Sequence, residues 1–152
     1  MRSNKFYGKI LESPEINYEF PNLRIIDLSY NNFTGKFPIN SFKNWNTLKL
    51  DKEHNLTCIQ IEKSFSMGSF NSFYFYYYSM KITNRGLDIA YLKVQQSFKA
   101  IDMSSNRFVG EISESIGDLR GLHMLNISNN ILTRHILPSL GNLNWEGHSL
   151  SI

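Results

Sequence analysis

The stretch Leu23-x-x-Ile26-x-Leu28-x-x-Asn31-x-Phe33-x-Gly35-x-Phe37-Pro38 is spelled again as Phe98-x-x-Ile101-x-Met103-x-x-Asn106-x-Phe108-x-Gly110-x-Ile112. A third copy runs Leu122-x-x-Leu125-x-Ile127-x-x-Asn130-x-Leu132, and a headless one opens the chain with Met1, Asn4, Phe6, Gly8 and Ile10. The asparagines at 4, 31, 106 and 130 stand 27, 75 and 24 residues apart. Self-similarity at a period in the twenties excludes a chain wrapped around one central core. Each copy is a single short unit that cannot bury its own apolar face, so the copies must stack.

Alternation over Leu23–Leu28, Phe98–Met103 and Leu122–Ile127 puts the apolar positions on one face of a short strand. Stacked strands then form a parallel sheet over one continuous core. The asparagine ends each strand, where its amide can bond turn backbone that the ladder leaves unpaired. With an insertion between the copies, Asn106 and Asn130 are expected to form one ladder and Asn4 and Asn31 another. Gly35 and Gly110 suit a turn with positive φ, and Pro38 closes the unit. Period and wording together are the leucine-rich-repeat signature. The expected fold is an α/β-type solenoid, with short parallel strands on a concave face and an inserted region.

The wording Asn-x-Phe/Leu-x-Gly-x-Ile/Phe-Pro resembles the plant-type extracellular repeat of receptor-like kinases, receptor-like proteins and polygalacturonase inhibitors. That resemblance implies a second short strand in each unit, near the Gly-x-Ile-Pro segment. The chain departs from the pattern at Ser113, which replaces the proline, and at Arg134, which replaces the glycine. Leu137 also precedes Pro138, so an altered turn is expected there.

Four segments follow: repeats over 1–38, an insertion over 39–97, repeats over 98–143, and a divergent truncated tail over 144–152. The insertion carries 7 Lys/Arg against 4 Asp/Glu, and 11 of the 21 aromatic residues. The rest of the chain is neutral, at 9 against 9. Insertions in repeat arrays usually map to loops on one face, often the binding face. Phe42-Lys43-Asn44-Trp45, Tyr77-Tyr78-Ser79, Thr83-Asn84-Arg85-Gly86-Leu87-Asp88 and Phe98 to Asn106 are similar to the island region of plant receptor-like proteins. The resemblance covers residues 1–143. It implies a single-pass cell-surface receptor without a kinase domain.

The run Phe73-Tyr74-Phe75-Tyr76-Tyr77-Tyr78 does not alternate, so a strand here carries rings on both faces. One face is expected to pack on the solenoid edge. The other reading is an exposed tyrosine face that meets a ligand or partner, with carbohydrate stacking as a third use.

No stretch approaches the roughly 20 apolar residues that span a membrane, and no apolar signal region follows Met1-Arg2-Ser3-Asn4-Lys5. One repeat length after Leu122 an apolar residue is due at 146, where Glu146 stands. The chain therefore reads as a fragment of a receptor gene. Asn32, Asn55 and Asn126 head N-glycosylation sequons. Cys58, the single cysteine, is expected to be a buried free thiol. Gly147-His148-Ser149-Leu150-Ser151 lacks the last glycine and the helix of a nucleophile elbow. The four histidines show no paired ligand spacing. No catalytic residue, metal site or cofactor is expected. A sequence pI near 9.0 comes without a nucleic-acid-binding module or basic stripe, so nucleic acid is not an expected partner.

Ligand perception is the favoured function. The solvent-facing strand positions are expected to be Arg24, Ile25, Asp27, Ser29 and Tyr30, then Lys99, Ala100, Asp102, Ser104 and Ser105, then His123, Met124, Asn126, Ser128 and Asn129. Of these, Arg24, Asp27, Tyr30, Lys99, Asp102, Ser104, His123 and Asn126 are the candidate contacts, joined by Tyr74, Tyr76, Tyr78 and Arg85 of the insertion. The resemblance implies a peptide or protein ligand and signalling through co-receptor and adaptor kinases, in defence. It places the parent at the plasma membrane, extracellular side, through a helix absent here. A secreted polygalacturonase-inhibitor-type or wall-binding protein is the alternative, and residues 39–97 argue against it. A fragment without function is the third reading.

Overall fold

The computed structural model describes residues 1–10, 23–43, 46–49, 57–67, 70–84, 87–133, 137–143 and 149–151. They fall into two units, one of residues 1–52 with 99–152 and one of residues 53–98. The first unit contains β1 (Tyr7–Lys9), β2 (Ile25–Asp27), β3 (Asn32–Lys36), α1 (Ile39–Lys43) and α2 (Asn46–Lys49). The second contains β4 (Gln60–Met67), β5 (Phe70–Tyr77), β6 (Met80–Asn84) and β7 (Leu87–Tyr91). The chain then returns to the first unit with β8 (Ala100–Asp102), β9 (Arg107–Gly110), β10 (Met124–Asn126), β11 (Ile131–Leu132) and β12 (Ser149–Ser151).

The first unit is a parallel solenoid with two four-stranded sheets, ordered β12-β10-β8-β2 and β1-β3-β9-β11. The second sheet is the extra short strand per repeat that the resemblance implies. Between the sheets lie the residues that the alternation marks as apolar: Leu28, Met103 and Ile127 in one row, Ile101 and Leu125 in the next, all buried. Phe33 and Phe108 stack at 6.4 Å with planes 9° apart, and Phe6 continues the stack at 6.2 Å from Phe33. Gly8, Gly35 and Gly110 take φ of 93°, 84° and 88° at the same place in their repeats. There a Cβ would be strained, which is why the template needs glycine.

The insertion does not break the array. β2 pairs with β8 (Ile26 opposite Ile101), and β3 pairs with β9 (Gly35 opposite Phe108). The expectation of two separate asparagine ladders is therefore corrected to one. Nδ2 of Asn31 donates to the carbonyls of Met1, Leu28 and Ser29. Asn106 does the same to Leu28, Met103 and Ser104, and Asn130 to Met103, Ile127 and Ser128. Their Oδ1 atoms accept from the backbone N–H of Phe6, Phe33 and Phe108. Each asparagine thus ties its own turn to the repeat before it. Asn4 differs: its amide donates only locally, to Met1 and Arg2.

Two more expectations change in this unit. The insertion is smaller than 39–97, because Ile39 and Phe42 of α1 and Leu48 of α2 are buried in the solenoid core. Phe42 lies 6.0 Å from Phe37, which meets Phe108 edge-on at 5.9 Å. The tail rejoins the fold: Leu150 sits opposite Leu125 in the sheet. The step from Leu125 to its sheet partner Leu150 is 25 residues rather than 24. The altered turn around Arg134 lies outside the described residues. Ser113, at the missing proline, starts the 3₁₀ turn Glu114–Asp118 as its N-cap, with Oγ accepting from the Ser115 N–H.

The second unit is two antiparallel hairpins, β4-β5 and β6-β7. Ile82 and Val94 are buried in it. Cys58 forms an isolated bridge with Gln95 and is free but only half-buried, not the buried thiol expected from composition. The expectation that one ring face of Phe73–Tyr78 is packed also fails. Every residue of β5 is exposed, and its rings are 43–84% accessible.

Candidate ligand-contact surface

The repeat template brings the strand candidates into columns. Asp27 stands opposite Asp102, Asp102 opposite Asn126, and Asn126 opposite Ser151. Ile25, Ala100, Met124 and Ser149 form the neighbouring column. One step earlier come Arg24, Lys99 and His123, linked through backbone: Ala100 N–H donates to the Arg24 carbonyl, and His123 N–H donates to that of Lys99.

Their exposure departs from the sequence reading. Arg24, Ile25, Asp27, Ser105, His123 and Ser128 are half-buried, and Tyr30 and Asn129 are exposed. Ser29, Lys99, Ala100, Asp102, Ser104, Met124 and Asn126 are buried, so their assignment as solvent-facing is overturned. Alternation tells which side of a strand a residue takes; it does not tell how much room remains on that side.

A second motif accounts for part of this burial and was legible in the sequence without being noticed. Asp27-Leu28-Ser29, Asp102-Met103-Ser104 and Asn126-Ile127-Ser128 share one wording. In each, Oδ1 accepts from the backbone N–H and the Oγ–H of the serine two residues on. The Oγ distances are 2.6, 2.6 and 2.8 Å. This Asx-type turn leads the chain out of the strand. The residue directly after the serine, Tyr30, Ser105 or Asn129, takes φ of 54°, 53° and 54°. Asp27, Asp102, Ser104 and Asn126 are therefore turn-builders first. The same bonds bear on glycosylation: Asn126 is 1% exposed with its Oδ1 engaged, which corrects its reading as an acceptor. Asn32 is exposed at the start of β3, and Asn55 lies outside the described residues.

Asp102 is electrostatically distinct. Burial pushes its carboxyl above the ordinary value, hydrogen bonds from Ser104 pull it down, nearby Asp27 raises it, and Arg2 lowers it. Its Oδ2 has no hydrogen-bond partner among the described residues. Arg2 sits 5.2 Å above the Tyr30 ring, and His123 Nδ1 lies 3.1 Å from the Gly121 carbonyl.

In the second unit, pairing of Ile61 with Tyr76 and of Lys63 with Tyr74 fixes the faces of the aromatic hairpin. One face carries Ile61, Lys63, Phe65, Phe70, Tyr74 and Tyr76, with the Lys63 ammonium 5.9 Å from the Tyr76 ring. The other carries Glu62, Phe73, Phe75 and Tyr77, with Lys93 4.1 Å from the Tyr77 ring. Tyr78 follows the strand and is exposed; Arg85 lies outside the described residues. The described residues contain no group of three or more His, Cys, Asp or Glu that could hold a metal ion, and no helix long and apolar enough to cross a membrane.

Residues 22–45, 97–119 and 121–143 match the Leucine Rich Repeat family. Over 124 residues the chain is 38% identical to Receptor-like protein 18 of Arabidopsis thaliana, covering 82% of this chain and 13% of that protein. Receptor like protein 23 of the same plant is 40% identical over 124 residues, covering 80% of this chain and 14% of its own length. Receptor-like protein 19 is 42% identical over 123 residues, covering 80% and 12%. The chain belongs to the plant leucine-rich-repeat receptor-like proteins. It spans 12–14% of the length of these three relatives. Because the likeness covers about four-fifths of this receptor-like chain, it reaches beyond the matched repeats.

Proposed function

We propose that this segment of a receptor-like protein serves ligand perception at the cell surface, binding a peptide or protein and leaving catalysis to partner kinases. The carrying observation is the placement of the aromatic residues. The repeat ladder runs unbroken from Asn31 to Asn106, while residues 53–98 fold as a separate unit with an exposed ring-bearing strand. Rings held on a hairpin and left in water are costly to keep unless something covers them, and tyrosine is favoured where one end of a ring stays wet. Lys63 and Lys93 stand beside the Tyr76 and Tyr77 rings, which favours a partner surface that carries acidic groups. In this reading the parent sits on the extracellular side of the plasma membrane, acts in defence, and relies on co-receptor and adaptor kinases.

The test uses the full-length parent receptor. Replacing Tyr74, Tyr76 and Tyr78 by Ala is expected to abolish signalling while surface abundance stays normal. Abundance falling in step with signalling would show that the rings serve folding, and unchanged signalling would remove the hairpin from the contact surface.

A further inference from the structure

Of the four strands in the second unit, three carry charge: β4 has Glu62 and Lys63, β6 has Lys81, and β7 has Asp88. Lys81 and Asp88 form an ion pair at 3.0 Å. β5 is the exception, with eight residues and no charge, proline or glycine. It pairs with β4 on one side only, and among the described residues no strand occupies its other edge. Every one of its residues is exposed, although Lys63 and Lys93 lie over the Tyr76 and Tyr77 rings. Natural sheets guard such edges with charge, proline, bulges or short length. β5 has none of these.

We propose that the free edge of β5 pairs with β5 of a second copy of this chain, antiparallel, giving a four-stranded sheet in the order β4-β5-β5-β4. A two-fold axis perpendicular to the sheet relates the copies and keeps each face with its own kind. Opposed residues then have the same parity, so Phe73, Phe75 and Tyr77 meet one another on one face while Phe70, Tyr74 and Tyr76 meet on the other. Ring meets ring, the cross-strand combination that stabilises sheets. The opposite choice, pairing through β4, would bring two copies of Lys63 or Glu62 to one small interface, where like charges repel. Charge therefore selects β5. The six rings of each copy offer roughly 200 Å² apiece. About half of that is exposed, and an edge contact covers about half of the exposed part, giving about 600 Å² in all. This is below the roughly 1,200 Å² of stable assemblies, so the pairing is reversible and concentration-dependent.

The experiment uses the full 152-residue chain carrying Cys58→Ser, so that no native thiol competes. Single cysteines are placed in turn at positions 72 to 76 and oxidised, and sedimentation of the uncrosslinked protein is followed against concentration. Cross-linking that peaks at one position and falls off on both sides is the expected result, with at least fivefold more dimer at the peak. Phe75→Lys should abolish the concentration dependence. Phe65→Lys, equally exposed but on β4, should leave it in place. Equal cross-linking at every position, no cross-linking, or loss of dimer in both lysine variants would overturn edge pairing. The last of these would point to stacking of faces.

Discussion

Asn106 donates from Nδ2 to the carbonyl of Leu28, 78 residues earlier in the chain, at 3.0 Å. The same side chain accepts from Phe33 N–H through Oδ1 at 3.1 Å. One buried amide thus holds the two repeats that the insertion separates in sequence. Asn106→Ala strands the Phe33 N–H and three carbonyl bonds together. Losing a buried partner costs about 1–3 kcal/mol per stranded group, so a loss of roughly 3 kcal/mol is expected after partial relaxation. Asn4→Ala, which removes only exposed local bonds, should cost under about 1 kcal/mol. Urea unfolding of the two variants, flanked by additional repeats, makes the comparison. Equal losses would deny the ladder its bridging role.

Gly117 makes a different kind of contact. It lies buried in the turn Glu114–Asp118, facing the turn Pro138–Asn142 of the next repeat. A Cβ there would run into the backbone carbonyl oxygen of Ser139 and come within 2.9 Å of its Cβ. Backbone cannot rotate away as a side chain can, so the two turns must separate. Gly117→Ala is expected to cost about 1–3 kcal/mol through overpacking. Gly141→Ala, with nothing within 4 Å of the added carbon, should be near neutral. Thermal melts of both variants check this, and matching melting temperatures would refute the close approach.

The parts of the fold legible in the sequence were those where one residue type answers one backbone need. Asparagine at a strand end and glycine at positive φ repeat because the geometry repeats, so Asn31, Asn106, Gly35 and Gly110 announced themselves. Stacking order was not legible. A 59-residue gap looks like a break to a reader who follows the chain, yet Ile26 and Ile101 are neighbours across a sheet. The start of the insertion was misplaced because Ile39, Phe42 and Leu48 follow no repeat wording, although their burial is ordinary. For the candidate surface, the columns were correct and the exposure was not. Asp102 and Asn126 use Oδ1 to bond a serine two residues on, and that local chemistry draws them inward.

Removing the insertion tests the unbroken ladder directly. On the incoming side, the Leu48 carbonyl accepts from Gly121 N–H at 2.8 Å. On the outgoing side, Ala100 N–H donates to the Arg24 carbonyl at 2.9 Å. Both anchors belong to the solenoid. Replacing residues 53–98 by a short Gly/Ser linker should preserve a cooperative melt and the β circular-dichroism signal, because repeat arrays are stabilised by nearest-neighbour interfaces. A molten product would mean that the second unit is needed for the first to fold.

The pH dependence of stability should carry the signature of Asp102. Burial raises its folded pKa above the ordinary 3.8, so between these two values the folded state holds a proton that the unfolded state has lost. With more protons bound in the folded state, stability falls as pH rises from about 3.8, and it stops falling once pH passes the raised folded value. Above that point the buried carboxylate, with Oδ2 unpartnered, is a standing cost. The equivalent position in the next repeat is Asn126, whose Oδ1 makes the same serine bonds without a charge. Asp102→Asn is therefore expected to stabilise the protein at pH 7 by roughly 1 kcal/mol, or about 2–4 °C in melting temperature for a chain of this size. It should also remove this group's part of the slope at acid pH. Melting curves of wild type and variant from pH 3 to 8 decide the matter. A variant that melts lower at neutral pH would show that the Asp102 carboxylate is paired and stabilising rather than stranded.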